Sequence, residues 1–247
     1  MREIRERSDG SSLSNNAILV YMNPLKPSFK TELLPVSLII ISMILAGYFY
    51  VNFPNHVPAH WNLQGTIDGY SSRVFGAWFS PILMLALYAI LLLLPQIDPK
   101  NNRYHEFRDA YHAIKNIIIS FLFILYVFLG LAGLGYMLSF SIIMPIMVGL
   151  LLLGIGNYSQ EIKQNWTIGV RTPWTLESVK VWDKTNRLMA KMMMVCGVII
   201  AAAALPLPDL VRLSLIIFPI GFLIVIPLCY SYAIFQDEKT KKTKELD

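Results

Sequence analysis

The chain has 247 residues, 55% of them hydrophobic and only 15% charged, with a net charge of +5 and a mean hydropathy of +0.52. A soluble domain carries about 25% charged residues and a disordered chain combines low hydrophobicity with high charge, so both classes are excluded. The two cysteines, Cys196 and Cys229, lie inside apolar runs and read as buried small hydrophobes, not as a disulfide framework.

In chain order, residues 1–32 form a polar N-terminal segment whose first 16 residues, rich in Ser, Asn and charge, are expected to be disordered. The short apolar run Ala17–Met22 is too brief for the core of a secretory signal peptide, and none is expected. A membrane helix needs roughly 20 mostly apolar residues. Six segments meet or approach that length: Leu33–Phe53, Phe75–Pro95, Ile117–Met137, Phe140–Gly156, Leu188–Leu205 and Leu210–Phe235. The third and fourth are one apolar run, which crosses the membrane twice if it turns near Ser139–Ser141. The fifth is short, and Lys191 near its start is expected to snorkel to the interface. Tyr104, Phe107, Tyr111 and Ile114 recur at helical spacing, so Tyr104–Asn116 reads as an interfacial extension of the third helix. The expected fold is an all-α polytopic membrane protein: a two-helix unit over 33–116, a four-helix unit over 117–235 and a basic tail over 236–247.

Charge placement sets the orientation. Of the 21 Lys and Arg, all but Arg73 and Arg212 fall in the N-terminal segment, the 100–115 and 163–191 stretches, or the tail. By the positive-inside rule both termini are cytoplasmic, and a prokaryotic plasma membrane is the expected location. The basic pI then reflects topology, with the lipid bilayer as partner and no nucleic acid. No Asp, Glu, Lys or Arg falls in the middle of an expected span, and all four histidines fall in expected loops, which counts against an ion-coupled transporter. Small residues such as Gly130, Gly133, Gly149 and Gly154 serve helix packing.

Two loops carry the candidate chemistry. The first, Phe53–Arg73, holds His56, His60, Trp61, Asn62, Gly65, Asp68, Gly69 and Tyr70, and is expected outside. One reading is an ordered surface loop with Trp61 and Tyr70 at the interface. Another is a recognition surface for an external peptide. A third is a metal site using His56, His60 and Asp68, although Pro54 and Pro58 oppose the helix that would put both histidines on one face. His60 and Asp68 are expected in one ordered cluster, with Arg73 as the nearest basic residue. The second loop, Asn157–Arg187, is expected inside. Trp166, Trp174 and Trp182 recur every eight residues, and Thr175 to Arg187 resembles a capped helix starting at Thr172 or Thr175. It reads as an interfacial amphipathic segment, a surface for a cytosolic partner, or a cavity lining. Pro173 disfavours helix at Thr172, so Arg171 is expected in a turn. Its five donors suit backbone carbonyls or an acid such as Glu161 or Asp183, the other reading being an arginine that snorkels to lipid phosphate. No P-loop, GxSxG, HExxH or cysteine-rich pattern occurs, no cofactor is expected, and the chain reads as a non-enzyme.

The same loops carry a family resemblance. Pro58, His60, Trp61, Asn62, Gly65, Asp68, Gly69 and Tyr70 form PxHWNxxGxxDGY, which resembles the signature of a bacterial and archaeal membrane domain of unassigned chemistry. Gly156, Asn157, Tyr158, Lys163, Asn165, Trp166 and Ile168 to Leu176, followed by VWDKTNR with Trp182 and Thr185, resemble the second half of SdpI-type immunity proteins. Together the two signatures, over roughly residues 33–235, resemble the SdpI family. The resemblance implies an integral membrane protein that protects a cell from a secreted antimicrobial peptide toxin. It further implies that such a protein can hold a transcriptional repressor at the membrane. Where the family pattern has Thr-His, this chain has Thr185-Asn186. The alternatives are a small-molecule or lipid transporter and an enzyme at the membrane face.

Overall fold

The computed structural model describes residues 24–244. The polar segment 1–23, with Arg2, Arg5, Arg7 and the Ala17–Met22 run, and residues 245–247 lie outside the described residues. Six helices are long and apolar enough to cross a membrane. Being even in number, they leave residues 24 and 244 on one face, the loop face, and a β-hairpin on the other.

Helix α1 (Phe29–Asn52) starts at a capping box, where the Ser28 hydroxyl accepts from the Thr31 N–H and the Thr31 hydroxyl accepts from the Ser28 N–H. It stops ahead of Pro54, and strands β1 (His56–Trp61) and β2 (Ile67–Ser72) follow as an antiparallel pair. The register skips Ala59 on β1 and Asp68 on β2, so the ribbon is twisted by two bulges. In the connecting turn the Asn62 carboxamide oxygen accepts from the N–H groups of Gln64 and Thr66, and Gly65 takes φ +80°. Ser72 then caps α2 (Arg73–Ile97), accepting from the Phe75 N–H. A 3₁₀ turn (Asn101–Phe107) leads into α3 (Arg108–Gly133), which packs on α1, α2 and α4 (Phe140–Ser159).

Past an irregular stretch come α5 (Pro173–Glu177), α6 (Val179–Ala201), a 3₁₀ turn at Ala202–Ala204, and α7 (Asp209–Lys244). Helix α6 is central to this half, with α4 and α7 packed on it. It meets α4 at a pair of glycines. A Cβ on Gly149 would lie 2.5 Å from the Gly197 carbonyl oxygen, so the backbones touch, as membrane helices do where small residues face each other. At about 1.5 Å per residue, the 36 residues of α7 exceed the ~30 Å hydrocarbon core, and its basic end projects beyond it.

Three expectations change. The Tyr104–Asn116 stretch is not an interfacial helix. Its first part is the 3₁₀ turn, and Tyr104, Phe107, Tyr111 and Ile114 point inward to form a core with Leu25, Ile162 and Trp182. The periodicity is real, but the face it marks is covered by protein, because residues 160–172 fold back over it. The helix expected over Thr175–Arg187 is broken at Ser178, which ends α5 and caps α6 by accepting from the Val181 N–H. Its second part is continuous with the fifth span, so it is not a separate surface helix. The spans also begin earlier than hydropathy suggests, and Glu32, His112 and Lys115 fall within them.

Candidate functional site

On the hairpin face, the double bulge places His60 opposite Gly69 and brings Asp68 alongside. His60 Nδ1 lies 2.5 Å from Asp68 Oδ1, with the side chains 73% and 44% exposed. Gly69 is the residue that allows this, since a Cβ there would sit 2.9 Å from His60 Cβ. The two residues expected in one cluster are therefore together. His56 is not with them. It pairs with Ser72 at the base of the ribbon, roughly 13 Å away along the strand. Among the described residues, no group of three or more His, Cys, Asp or Glu could hold a metal ion, so the His56, His60, Asp68 ligand set is not assembled. Arg73 turns away, its guanidinium donating to the Asn55 carboxamide at 3.0 Å.

Trp61 does not sit against lipid headgroups. Its ring stacks on Phe140 at the start of α4, with centroids 3.9 Å apart. Beside it, Gln64 donates to the Asp209 carboxylate at 2.8 Å, and Arg212 donates to the Leu63 carbonyl at 3.1 Å. The ribbon, which is tethered to α1 and α2, thus reaches across to α4 and α7. Two cavities flank the Trp61–Phe140 stack. One of about 580 Å³ is lined by His56, Pro58, Tyr70, Tyr136 and Met137 among others, and Tyr70 is 62% exposed. The other, about 620 Å³, lies between the ribbon tip and the first turns of α4 and α7. Within the PxHWNxxGxxDGY motif, Asn62, Gly65 and Gly69 fold the ribbon and Trp61 docks it. His60, Asp68 and Tyr70, with His56 beside the motif, remain exposed.

On the loop face most of the second signature is internal structure. Asn165 is buried. Its carboxamide oxygen accepts from the Thr167 and Ile168 N–H groups, and its amide donates to the Lys163 and Ile168 carbonyls. Trp182, fully buried, donates from its indole to the Ile162 carbonyl at 3.0 Å. Gly169 takes φ +109°, and a Cβ there would meet the Asn186 carboxamide oxygen at 2.7 Å. That same oxygen accepts from the Val170 N–H at 2.7 Å. Asn186 therefore fills the expected histidine's position as a backbone clamp. Thr172 and Thr175 form the capping box of α5, with Pro173 at its start, and Thr172 also donates to Ser231 on α7. Trp174 packs on Tyr232. Thr185 is buried with no partner for its hydroxyl, Tyr158 packs on the aromatic core, Lys163 is half-buried, and Asn157 is exposed.

The three tryptophans that recur every eight residues do not share one environment. Trp166 is 49% exposed while Trp182 is sealed. Arg171 is exposed and ties a single backbone carbonyl, that of Trp166, at 2.7 Å, with neither Glu161 nor Asp183 as partner. Of the partners the sequence left open, a backbone carbonyl is the one found, at a surface site where Arg171→Lys keeps the charge and a donor. We expect its melting temperature and membrane yield to match the parent, since such changes usually stay within about 0.5 kcal/mol. Fluorescence-detected size exclusion of the two proteins checks this.

Two polar clusters escaped the sequence reading. Asp98, 2% exposed at the end of α2, accepts from the Lys100 N–H at 2.7 Å, the Tyr104 hydroxyl at 2.9 Å and the Trp166 N–H at 2.9 Å. Tyr104 also bonds Thr167, while the Lys100 ammonium donates to Gln164, whose amide donates to the Thr175 and Leu176 carbonyls. Desolvation holds Lys100 below the ordinary lysine range, with Arg103 acting the same way and Asp98 opposing. Within the bundle, the Lys115 ammonium donates to both oxygens of Glu32 at 2.6 and 2.5 Å, and Glu32 also accepts from Tyr88 and Thr31. His112 donates from Nε2 to the Leu25 carbonyl at 3.2 Å, and its Nδ1, buried without a hydrogen bond, stands 3.6 Å from Glu32. The only sequence signals were a lone acid closing an apolar run and a lone lysine inside one.

The profile of the SdpI/YfhL protein family matches residues 161–231, the loop-face signature through most of α7. A domain of unknown function (DUF1648) matches residues 37–85, which include the hairpin. Immunity protein SdpI of Bacillus subtilis (strain 168) is 29% identical over 206 residues, covering 82% of this chain and 96% of that protein. No solved structure matches.

Proposed function

We propose that the chain is an immunity protein of the SdpI family, guarding its own cell against a secreted antimicrobial peptide. The observation that carries the reading is the extent of the likeness to the Bacillus subtilis immunity protein. It runs through nearly all of that protein and takes in both halves of this one. The hairpin faces outward and the loop face lies in the cytosol. Arg73 and Arg212 are the only described basic residues on the hairpin side, which supports that orientation.

The incoming peptide meets the cavity beside the ribbon, where exposed Tyr70, Tyr136 and Met137 give apolar contact and His56 gives a polar one. Tyrosine suits this role, because it contributes a large contact area while losing few rotamers. On the other side, exposed Trp166 and Arg171, with the projecting basic end of α7, form the surface open to a cytosolic repressor.

The test is deletion of the gene from its source strain, followed by growth in spent medium of the parent. We expect the deletion strain to be inhibited and the restored chain to rescue it. Tyr70→Ala combined with His56→Ala should lower survival at least tenfold at unchanged membrane yield, because both side chains are exposed and neither makes a hydrogen bond, ion pair or ring contact among the described residues. Undiminished growth of the deletion strain at every dilution would overturn the immunity reading. Full rescue by the double variant would overturn the placement of the site.

A further inference from the structure

The second hairpin-face cavity has a polar rim, an apolar floor and an unanswered positive charge. The rim carries His60, Asn62, Gln64, Asp68 and Arg212, and the floor carries Phe140, Met144, Pro145 and Ile216. Each rim group but one is engaged. His60 and Asp68 hold each other, Asn62 bonds Thr66 within the turn, and Gln64 donates to Asp209. Arg212 is the exception. One of its terminal nitrogens donates to the Leu63 carbonyl, its Nε is buried without a partner, and no carboxylate among the described residues pairs with it. A guanidinium has five N–H donors in a planar fork, and Arg212, which lines the cavity, has a hydrogen-bond partner on one terminal nitrogen only.

The surroundings favour an anion there. Helices α4 and α7 both begin at this cavity, at Phe140 and Asp209, so the positive ends of two helix dipoles converge on it. The Asp209 carboxylate in the first turn of α7 accepts from the neutral Gln64 amide and offsets part of the α7 dipole, so the Arg212 guanidinium carries most of the attraction. Phe140 stands at the first position of α4, and Met144, Pro145 and Ile216 lie one to two turns further inside α4 and α7, about 6–10 Å below the helix starts. The cavity therefore passes from polar to apolar along the membrane normal, which is the polarity of a phospholipid from headgroup to glycerol and upper acyl chain. Its volume of about 620 Å³ is that of a small-molecule site, commonly about 300–1,000 Å³.

We propose that this cavity binds one anionic phospholipid of the hairpin-side leaflet, its phosphate on the Arg212 fork and its upper chains on Met144, Pro145 and Ile216. Lipid is favoured over a peptide carboxylate by supply. A site with one unpaired cation holds its ligand weakly, and the leaflet presents lipid at its mouth permanently, whereas a peptide arrives from dilute solution. The bound lipid then bridges the ribbon to α4 and α7, adding to the Gln64–Asp209 and Arg212–Leu63 bonds. The proposal is independent of the immunity reading.

Native mass spectrometry of the full chain in detergent, titrated with dioleoyl-phosphatidylglycerol or dioleoyl-phosphatidylcholine, tests it. We expect one phosphatidylglycerol per chain to be retained as lipid is added, at least tenfold better than phosphatidylcholine. Arg212→Gln keeps a donor for the Leu63 carbonyl but removes the charge, and should lose that preference. Ile216→Trp fills the floor without touching the charge and should lower retention of both lipids. Arg73→Gln, on the same face but outside the cavity, should behave as the parent. Equal retention of the two lipids by the parent would overturn the proposal, as would an unchanged preference in Arg212→Gln. Displacement of the retained lipid by an apolar tetrapeptide with a free C-terminus, at micromolar concentration, would assign the cavity to a peptide instead.

Discussion

Lys115→Met should lower the stability of the detergent-solubilised protein by about 3–5 kcal/mol, the usual penalty for removing one partner of a buried ion pair. The Lys115 side chain is fully buried, with both oxygens of Glu32 within hydrogen-bond distance. Methionine matches the stem and packs as well, so the loss isolates the charge. What remains is a Glu32 carboxylate, 16% exposed, with only the Tyr88 and Thr31 hydroxyls as donors and His112 Nδ1 3.6 Å away. Replacing both partners, Lys115→Met with Glu32→Gln, removes the unpaired charge and should recover most of the loss, since one of the Tyr88 and Thr31 hydroxyls can still donate to the amide oxygen while the other accepts from the amide N–H. Thermal unfolding of the single and double variants, run beside the parent, measures the difference. A double variant as unstable as Lys115→Met would mean that an unpaired Glu32 charge is not the source of the loss.

Asp98→Ala should have an effect of similar size and a different signature. It strands three donors at once: the Lys100 N–H, the Tyr104 hydroxyl and the Trp166 N–H. An unsatisfied buried donor costs about 1–3 kcal/mol. Tyr104 keeps Thr167 as a partner and Lys100 lies near the surface, so about 3–4 kcal/mol in all is expected. Asp98 joins the end of α2 to the loop that carries the family signature. Its loss should free residues 160–172 locally before the helices separate. Amide exchange should therefore rise at Trp166 to Ile168 in Asp98→Ala while α4 and α6 stay protected. Asp98→Asn keeps an acceptor and should cost less than half as much. Uniform loss of protection across α4 and α6 would show that the loop is not an independently opening unit.

How much of this was legible beforehand depended on the range of the interaction involved. The six spans could be read because hydropathy over about 20 residues is a local sum, and lipid imposes it on each helix separately. The reversal that joins His60 to Asp68 was also local: only seven residues separate them, Gly65 is among these, and Gly69 follows directly after Asp68. The surroundings of Arg171 show the complementary limit. Its type and its turn are local, but whether protein covers it is not, and here nothing does.

The amino-acid sequence by itself thus determined the membrane class, the number of crossings, the ribbon turn and the helix caps, each of which follows from neighbours within a few residues. Only the tertiary structure decided which signature residues are fold and which are surface. Trp182, Asn165 and Asn186 are sealed because residues 160–172 fold over the 3₁₀ turn at Asn101–Phe107, some 60 residues away in sequence. The Glu32–Lys115 pair needs α1 and α3 side by side, 83 residues apart. The free Arg212 fork needs the ribbon tip to reach α7, 149 residues on. Periodicity marks a face as apolar or polar, but the same aromatic stripe satisfies lipid or protein equally well. Which of the two covers it is set by long-range packing, and no local pattern encodes that choice.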